Sequence, residues 1–253
     1  MRAWELMKET LWRREYLWIV HVIWLACYGG FWWLLLPDPE EFGNLLFLWG
    51  GLLLPLALSA GIMGDDIASG RICVLVTKPF WSGKLYLYRL LGLSLQGALH
   101  FALAGVLVFV LHVITGKSAM AGVGRWLLSA WLLFNTFAAL STSLSVVVKR
   151  AHNSLLLFVA TLTLAVVAGM LLHSLQGHVL EPLVTGFFRY PFPPLELLHH
   201  LGKGDYTKET LTVGGWQVAT SVACVAHSVL LTAVYAGMGI LLLTRREFLS
   251  QRE

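Results

Sequence analysis

Two adjacent carboxylates, Asp65 and Asp66, close the stretch "GIMGDD" at the end of a long apolar run. Paired acids in an apolar setting suit acid–base hydrolysis, because one carboxyl can stay protonated while its neighbour ionises. Here the pattern is incomplete. Ile62 stands where a Gly-x-Gly-Asp motif needs its first glycine, and no Tyr-Asp pair supplies a second carboxylate. The sequence also lacks His-Glu-x-x-His, a Gly-x-Ser-x-Gly nucleophile turn and a Gly-x-x-x-x-Gly-Lys-Ser/Thr phosphate loop. The chain is therefore not expected to be catalytic by itself, nor to bind ATP by that loop.

Nine histidines are the other candidates for chemistry. His21, His100, His112, His173 and His227 fall in apolar runs, where packing and hydrogen bonding to neighbouring helices is the first expectation and a relay or ligand role the second. His199–His200, near His178 and Glu196, raises a haem- or metal-handling reading, although adjacent residues on a helix point about 100° apart. Cys27, Cys73 and Cys224 are too widely spaced for a zinc site or a disulfide framework. No metal set is expected.

The elements that must position these groups follow from composition. Of 253 residues, 57% are apolar and 13% charged, against about 25% charged in soluble domains. Lys, Arg, Asp and Glu are absent from 16–37, 42–64, 90–116, 126–148, 151–180 and 210–244. About 20 apolar residues cross a bilayer as a helix, so each run is long enough. The expected fold is all-α and integral to the membrane. It has six spans, at 16–37, 42–64, 90–116, 126–148, 151–177 and 214–244, in a single domain covering 1–253. The first run follows a charged segment and lacks a small-residue cleavage site, so it is not read as a removable signal peptide. With both termini cytoplasmic, 13 of the 18 Lys and Arg lie on the cytoplasmic side, as the positive-inside rule requires. The basic excess thus reflects topology, and no nucleic-acid partner is expected.

Residues 1–15 read as a helix lying in the membrane interface. Trp4, Met7 and Leu11 share one face, with Arg2, Glu5, Glu9 and Arg13 opposite. In the second span, Ala57/Gly61 and Ala60/Gly64 are small-xxx-small pairs that allow helices to approach closely, as are Ala165 and Gly169 in the fifth. Asn135, Thr142 and Ser145 share a face of the fourth span, suited either to a path or to bonding a neighbour. Residues 178–213 are external and contain short apolar helices broken by prolines. The cytoplasmic loop 65–89 is longer than antiparallel spans need. Its start, "DDIASGRICVLVT", reads as a short helix with apolar surface, stopped by Pro79. Ser82 is placed to cap the helix that follows. Such a projection suits a groove on a soluble partner.

This loop resembles the first cytoplasmic loop of ABC-2 type transporter permeases. The matching residues are Asp66 (where many members carry Glu), Gly70, "VLVTKP" with Lys78 and Pro79, and Lys84. The interfacial helix, six spans, tight loop between the fourth and fifth, long external segment and basic tail are also similar. The resemblance implies a permease subunit of the inner (plasma) membrane, paired with a second copy or paralogue. Each subunit would dock on a separate ATPase that holds ATP and Mg, with no cofactor bound by this chain. The interfacial helix and the loop, as a coupling helix, would sit on that ATPase, making Asp65, Asp66, Gly70, Arg71, Lys78, Pro79 and Lys84 the coupling residues. Spans two and five would line the path, giving Ala57, Gly61, Asn135, Thr142, Ala165 and Gly169 as candidates for it. Membrane lipids, and an extracytoplasmic factor on 178–213, complete the expected partners. Two alternatives remain open: a non-transporting scaffold for an ATPase or maturation factor, and the haem or metal handler.

Overall fold

The computed structural model describes residues 3–12, 16–35, 39–69, 82–116, 122–148, 152–189, 195–205, 210–213 and 216–250. These residues are almost wholly helical. Helix α1 (Ala3–Trp12) precedes α2 (Tyr16–Leu35). Helix α3 (Pro39–Leu45) runs into a π-helical stretch, Leu46–Leu53, and then into α4 (Leu54–Ser59). A turn leads to α5 (Gly64–Ala68), followed by the long helices α6 (Ser82–Thr115), α7 (Val123–Val147) and α8 (His152–Ser174). Two short helices, α9 (Glu181–Arg189) and α10 (Leu195–Lys203), precede the strands β1 (Thr210–Val213) and β2 (Trp216–Ala219) and the final helix α11 (Thr220–Ser250).

Five segments are long and apolar enough to cross a membrane: Glu40–Ala68, Gly83–Thr115, Val123–Val147, His152–Leu171 and Thr220–Arg245. In α2 the apolar part, Trp18–Leu34, is shorter. The chain has the helical architecture of a multi-pass membrane protein.

Helix α7 is the axis of the bundle, with α11, the π-helical stretch, α10 and α6 packed around it. Its sequence explains this. Ser129, Ala130, Ala138, Ala139, Ser141 and Ser145 are buried on several sides and let neighbouring backbones come close. Hydroxyls then tie the helices together. Thr136 Oγ1 lies 3.1 Å from both Ser228 Oγ and Thr232 Oγ1, and Tyr86 OH lies 2.8 Å from Ser143 Oγ. In a lipid environment apolar surface gives no preference between protein and tails, so such bonds help decide which helices meet. Helix α8 is the opposite case. Apolar all round, it leaves Leu155, Leu162, Val166 and Met170 exposed.

Two expectations are corrected, and the helix expected to start at Ser82 is found there. The second span is not a continuous helix over 42–64. It contains the π-helical stretch and breaks after Ser59 at a turn where Gly61 has φ 67°. An L-residue would be strained there by about 1–2 kcal/mol, so Gly61 supplies a turn and not a helix-packing face. The sixth span does not begin at 214. Residues 210–219 form an antiparallel pair, with Thr210 opposite Ala219 and Val213 opposite Trp216. The β-branched "TLTV" and the Gly-Gly that follows it are a hairpin signal that the charge-free run concealed. The third helical run begins at Ser82, eight residues before the charge-free span, and so carries Arg89 within it.

Candidate functional site

Arg89 organises the end of the bundle where α1, α5 and the start of α6 meet. Its side chain is fully buried. Nη2 lies 3.2 Å from Asp66 Oδ2 and 3.4 Å from Glu9 Oε1, and Nη1 donates to Thr10 Oγ1 at 3.0 Å. One guanidinium thus ties together α1, α5 and the first third of α6. Arginine suits this role because its planar fork presents donors in several directions from a group that stays charged. Gly92, one turn along α6, makes the approach possible. A Cβ there would meet the Thr10 Cβ at 2.7 Å and the Met7 carbonyl oxygen at 3.2 Å. Interfacial helix and third span are therefore in direct backbone contact.

A second polar centre holds the break in span two. Asn153, at the start of α8, accepts from the Gly61 N–H at 3.0 Å. It donates to the Ser59 carbonyl at 3.3 Å and the Ser141 carbonyl at 3.0 Å. Ser59 Oγ also donates to Ser141 Oγ at 2.7 Å, and the Met63 N–H donates to Ser145 Oγ at 3.3 Å. Backbone groups freed by the turn are thus recaptured by side chains from α7 and α8, as a water-free interior demands.

The coupling residues are placed unevenly. Asp66 is buried against Arg89 and does not reach water: a compensating guanidinium inside the protein draws it inward. Asp65 is half-buried, and its carbonyl accepts from Ser69 Oγ at 2.7 Å. Lys84 is exposed. Gly70, Arg71, Lys78 and Pro79 lie outside the described residues. On α1, Trp4 is exposed at 56% and Met7 is half-buried, while the Leu11 side chain lies outside the described residues. The helix meets α6 through Glu9 and Thr10, which belong to its polar side.

The six path candidates are not brought together. Ala57 is half-buried and Gly61 lies in the turn. Asn135 Nδ2 donates to the Trp131 carbonyl of its own helix at 2.8 Å, and Thr142 is buried inside the bundle. Ala165 and Gly169 are exposed on the bare α8.

Elsewhere in the bundle, α10 is stitched over α3 and α7. Ser129 Oγ donates to the Leu198 carbonyl, Lys203 pairs with Glu40, and Arg125 Nη2 donates to the Lys203 carbonyl at 3.3 Å. His199 turns inward. Its Nε2 lies 2.6 Å from Asn44 Oδ1, and its ring meets those of Phe47 and Trp126 edge-on. Burial, with lesser contributions from Lys203 and His200, holds the His199 imidazole below its ordinary pKa. His200 turns outward to Asp205, at 3.2 Å, and this hydrogen bond holds the Asp205 carboxyl below the usual carboxylate range. The hydrogen bond from Lys203 to Glu40 raises the lysine pKa. The two adjacent histidines thus face different partners. Among the described residues no group of three or more His, Cys, Asp or Glu is placed to hold a metal ion.

Arg89 and Asn153 are the residues that sequence reasoning passed over. Arg89 counted only as one more cytoplasmic base, although it is the last charge before a run of 27 uncharged residues. Asn153 sat unremarked in the tight loop "KRAHN". No family model matches the chain, and no curated protein matches it.

Proposed function

We propose that this chain is the membrane subunit of an ATP-driven exporter of the ABC-2 type, with six spans and both termini in the cytoplasm of a cell bounded by its inner (plasma) membrane. The observation that carries the reading is the buried knot of Arg89 with Asp66, Glu9 and Thr10. A soluble ATPase that moved either α1 or the loop beginning at α5 would move the base of α6 with it, because the three share one charged centre. Separating them would leave a charge buried and unpaired. The charge-free runs offer no acid or Lys with which to drive a coupled ion, so the energy comes from a partner that carries the phosphate loop this chain lacks. The exposed apolar α8 is the surface available to a second permease copy. The loop 70–81, through Gly70, Arg71, Lys78 and Pro79, completes the coupling helix that α5 begins.

Co-purification with a separate ATPase tests this, followed by nucleotide hydrolysis in reconstituted vesicles. Asp65→Lys and Lys84→Glu, on the more accessible side of the segment, are expected to lower stimulated hydrolysis while the chain remains assembled. Gly70→Pro is expected to act likewise by breaking the coupling segment. Export or hydrolysis at the normal rate in all three variants would overturn the docking role. A chain that hydrolyses nucleotide with its partner yet moves no substrate would support a scaffold instead.

A further inference from the structure

Between α2 and α6 lies a polar centre that the coupling reading does not use. His21 and His100 are both almost fully buried, at 3% and 1% exposure, and their Nδ1 atoms face each other at 3.1 Å. His100 Nε2 lies 3.4 Å from the Tyr28 hydroxyl. Gln96 is one helical turn below His100 on the same inward face and is 1% exposed. Three atoms here lack a partner among the described residues: His21 Nε2, Gln96 Oε1 and Gln96 Nε2. Unmatched polar atoms at membrane depth are unfavourable, and three together mark a place built for something more than packing. The neighbouring π-helical stretch adds to this, since such irregularities concentrate at functional sites. A Cβ on its Gly50 would come within 2.7 Å of the Tyr28 hydroxyl, so the cell is closed on that side.

We propose that His21 and His100 bind one soft transition-metal ion, Cu(I), through their two Nδ1 atoms. Neutral imidazole is a ligand, and each ring must then carry its hydrogen on Nε2. The hydrogen count does not change. Two neutral imidazoles hold two N–H groups, one of them now shared between the Nδ1 atoms. On binding, that hydrogen moves to the Nε2 of its own ring. His100 Nε2–H then donates to Tyr28 OH, and His21 carries its N–H on the Nε2 that has no partner among the described residues. Metal–imidazole bonds of about 2.0 Å, meeting at angles from tetrahedral to linear, place the nitrogens about 3.3–4.0 Å apart. With two ligands the linear case applies, so the rings must part by about 0.9 Å from their 3.1 Å separation. Charge selects the ion. The self-energy of a buried ion rises with the square of its charge and Tyr28, Trp18 and Phe101, set against the two rings, carry no charge to offset it, so Zn(II) would be about four times as costly as Cu(I).

The test is anaerobic titration of the full-length chain in nanodiscs with Cu(I) against a chromogenic chelator, with metal content measured after gel filtration. One high-affinity Cu(I) per chain is expected, absent in H21L and in H100L. H173L, which removes an exposed histidine, should bind as the original chain does. Y28F should weaken binding by about 10–100-fold, the usual effect of losing a partner of a metal-bound imidazole. X-ray absorption on the unaltered chain supplies a readout that does not depend on any variant folding, and should show two imidazole nitrogens on the copper. Failure to bind Cu(I), equal binding by H21L and H100L, tighter binding of Zn(II), or a copper shell of sulfur or of oxygen alone would each overturn the proposal.

Discussion

Replacing Arg89 by Met removes the guanidinium that lies 3.2 Å from the Asp66 carboxylate in the knot. The methionine fills much of the arginine stem, so packing changes little, whereas the fully buried Asp66 carboxylate loses its guanidinium. Removing one partner of a buried ion pair costs about 3–5 kcal/mol. Each kcal/mol shifts the midpoint by about 2–4 °C in a domain of this size, so thermal unfolding should drop by about 6–20 °C. Glu9 contributes less to the loss, because 23% of its side chain is exposed and its carboxylate can turn to water. Arg89→Met combined with Asp66→Leu should therefore recover most of the lost stability, since replacing a buried pair by apolar groups of similar volume is close to neutral. The assay is intrinsic tryptophan fluorescence of detergent-purified protein during heating. A midpoint for Arg89→Met within about 2 °C of the original would refute the reasoning, because that corresponds to less than about 1 kcal/mol. So would a double variant less stable than the single one. If the double variant folds but no longer stimulates a partner ATPase, the charged knot serves transmission as well as stability.

Further predictions follow from the same geometry. Gly92→Val should push α1 off α6, because its Cβ would fall within contact distance of Thr10, and limited proteolysis should then cut the N-terminal segment faster. Asn153→Leu should lower the unfolding midpoint, since it strips the Gly61 N–H and two carbonyls of their partner at about 1–3 kcal/mol for each group left unmatched. The docking of α10 should weaken in mild acid. Folding holds His199 below its ordinary pKa, so the neutral ring is favoured in the packed state and stability falls as pH drops below about 6.5. Asp205 and Lys203 do not act in that window, because the first is shifted down from 3.8 and the second up from 10.5. Protection factors over 195–203, normalised to the intrinsic exchange rate at each pH, should fall between pH 7.5 and 5.5, and His199→Gln should remove the dependence.

How much of this was legible depends on the separation of the partners along the chain. The membrane-length helices could be read directly, because lipid penalises charge locally and every backbone group must be satisfied within its own segment. The start of α6 at Ser82 was legible for a similar reason: a capping residue after a proline is a local signal. The break in span two was not. Nothing in the sequence distinguishes Gly61 in a helical small-residue pair from Gly61 at φ 67°, since the choice depends on Asn153, 92 residues away. The hairpin at 210–219 escaped because absence of charge is common to an apolar helix and a short strand pair, and only the alternation with Gly-Gly separates them.

For the candidate sites the division is similar. The sequence by itself established that Asp66 closes a long apolar run and that histidines occupy such runs. Tertiary structure alone decided that Asp66 turns inward to Arg89, that His21 meets His100, and that His199 and His200 part company. The reason is physical. A residue's hydropathy fixes whether it can enter the membrane, but its partner is chosen by which helices pack together, and in lipid that choice rests on a few hydroxyls, small residues and buried charges drawn from distant parts of the chain.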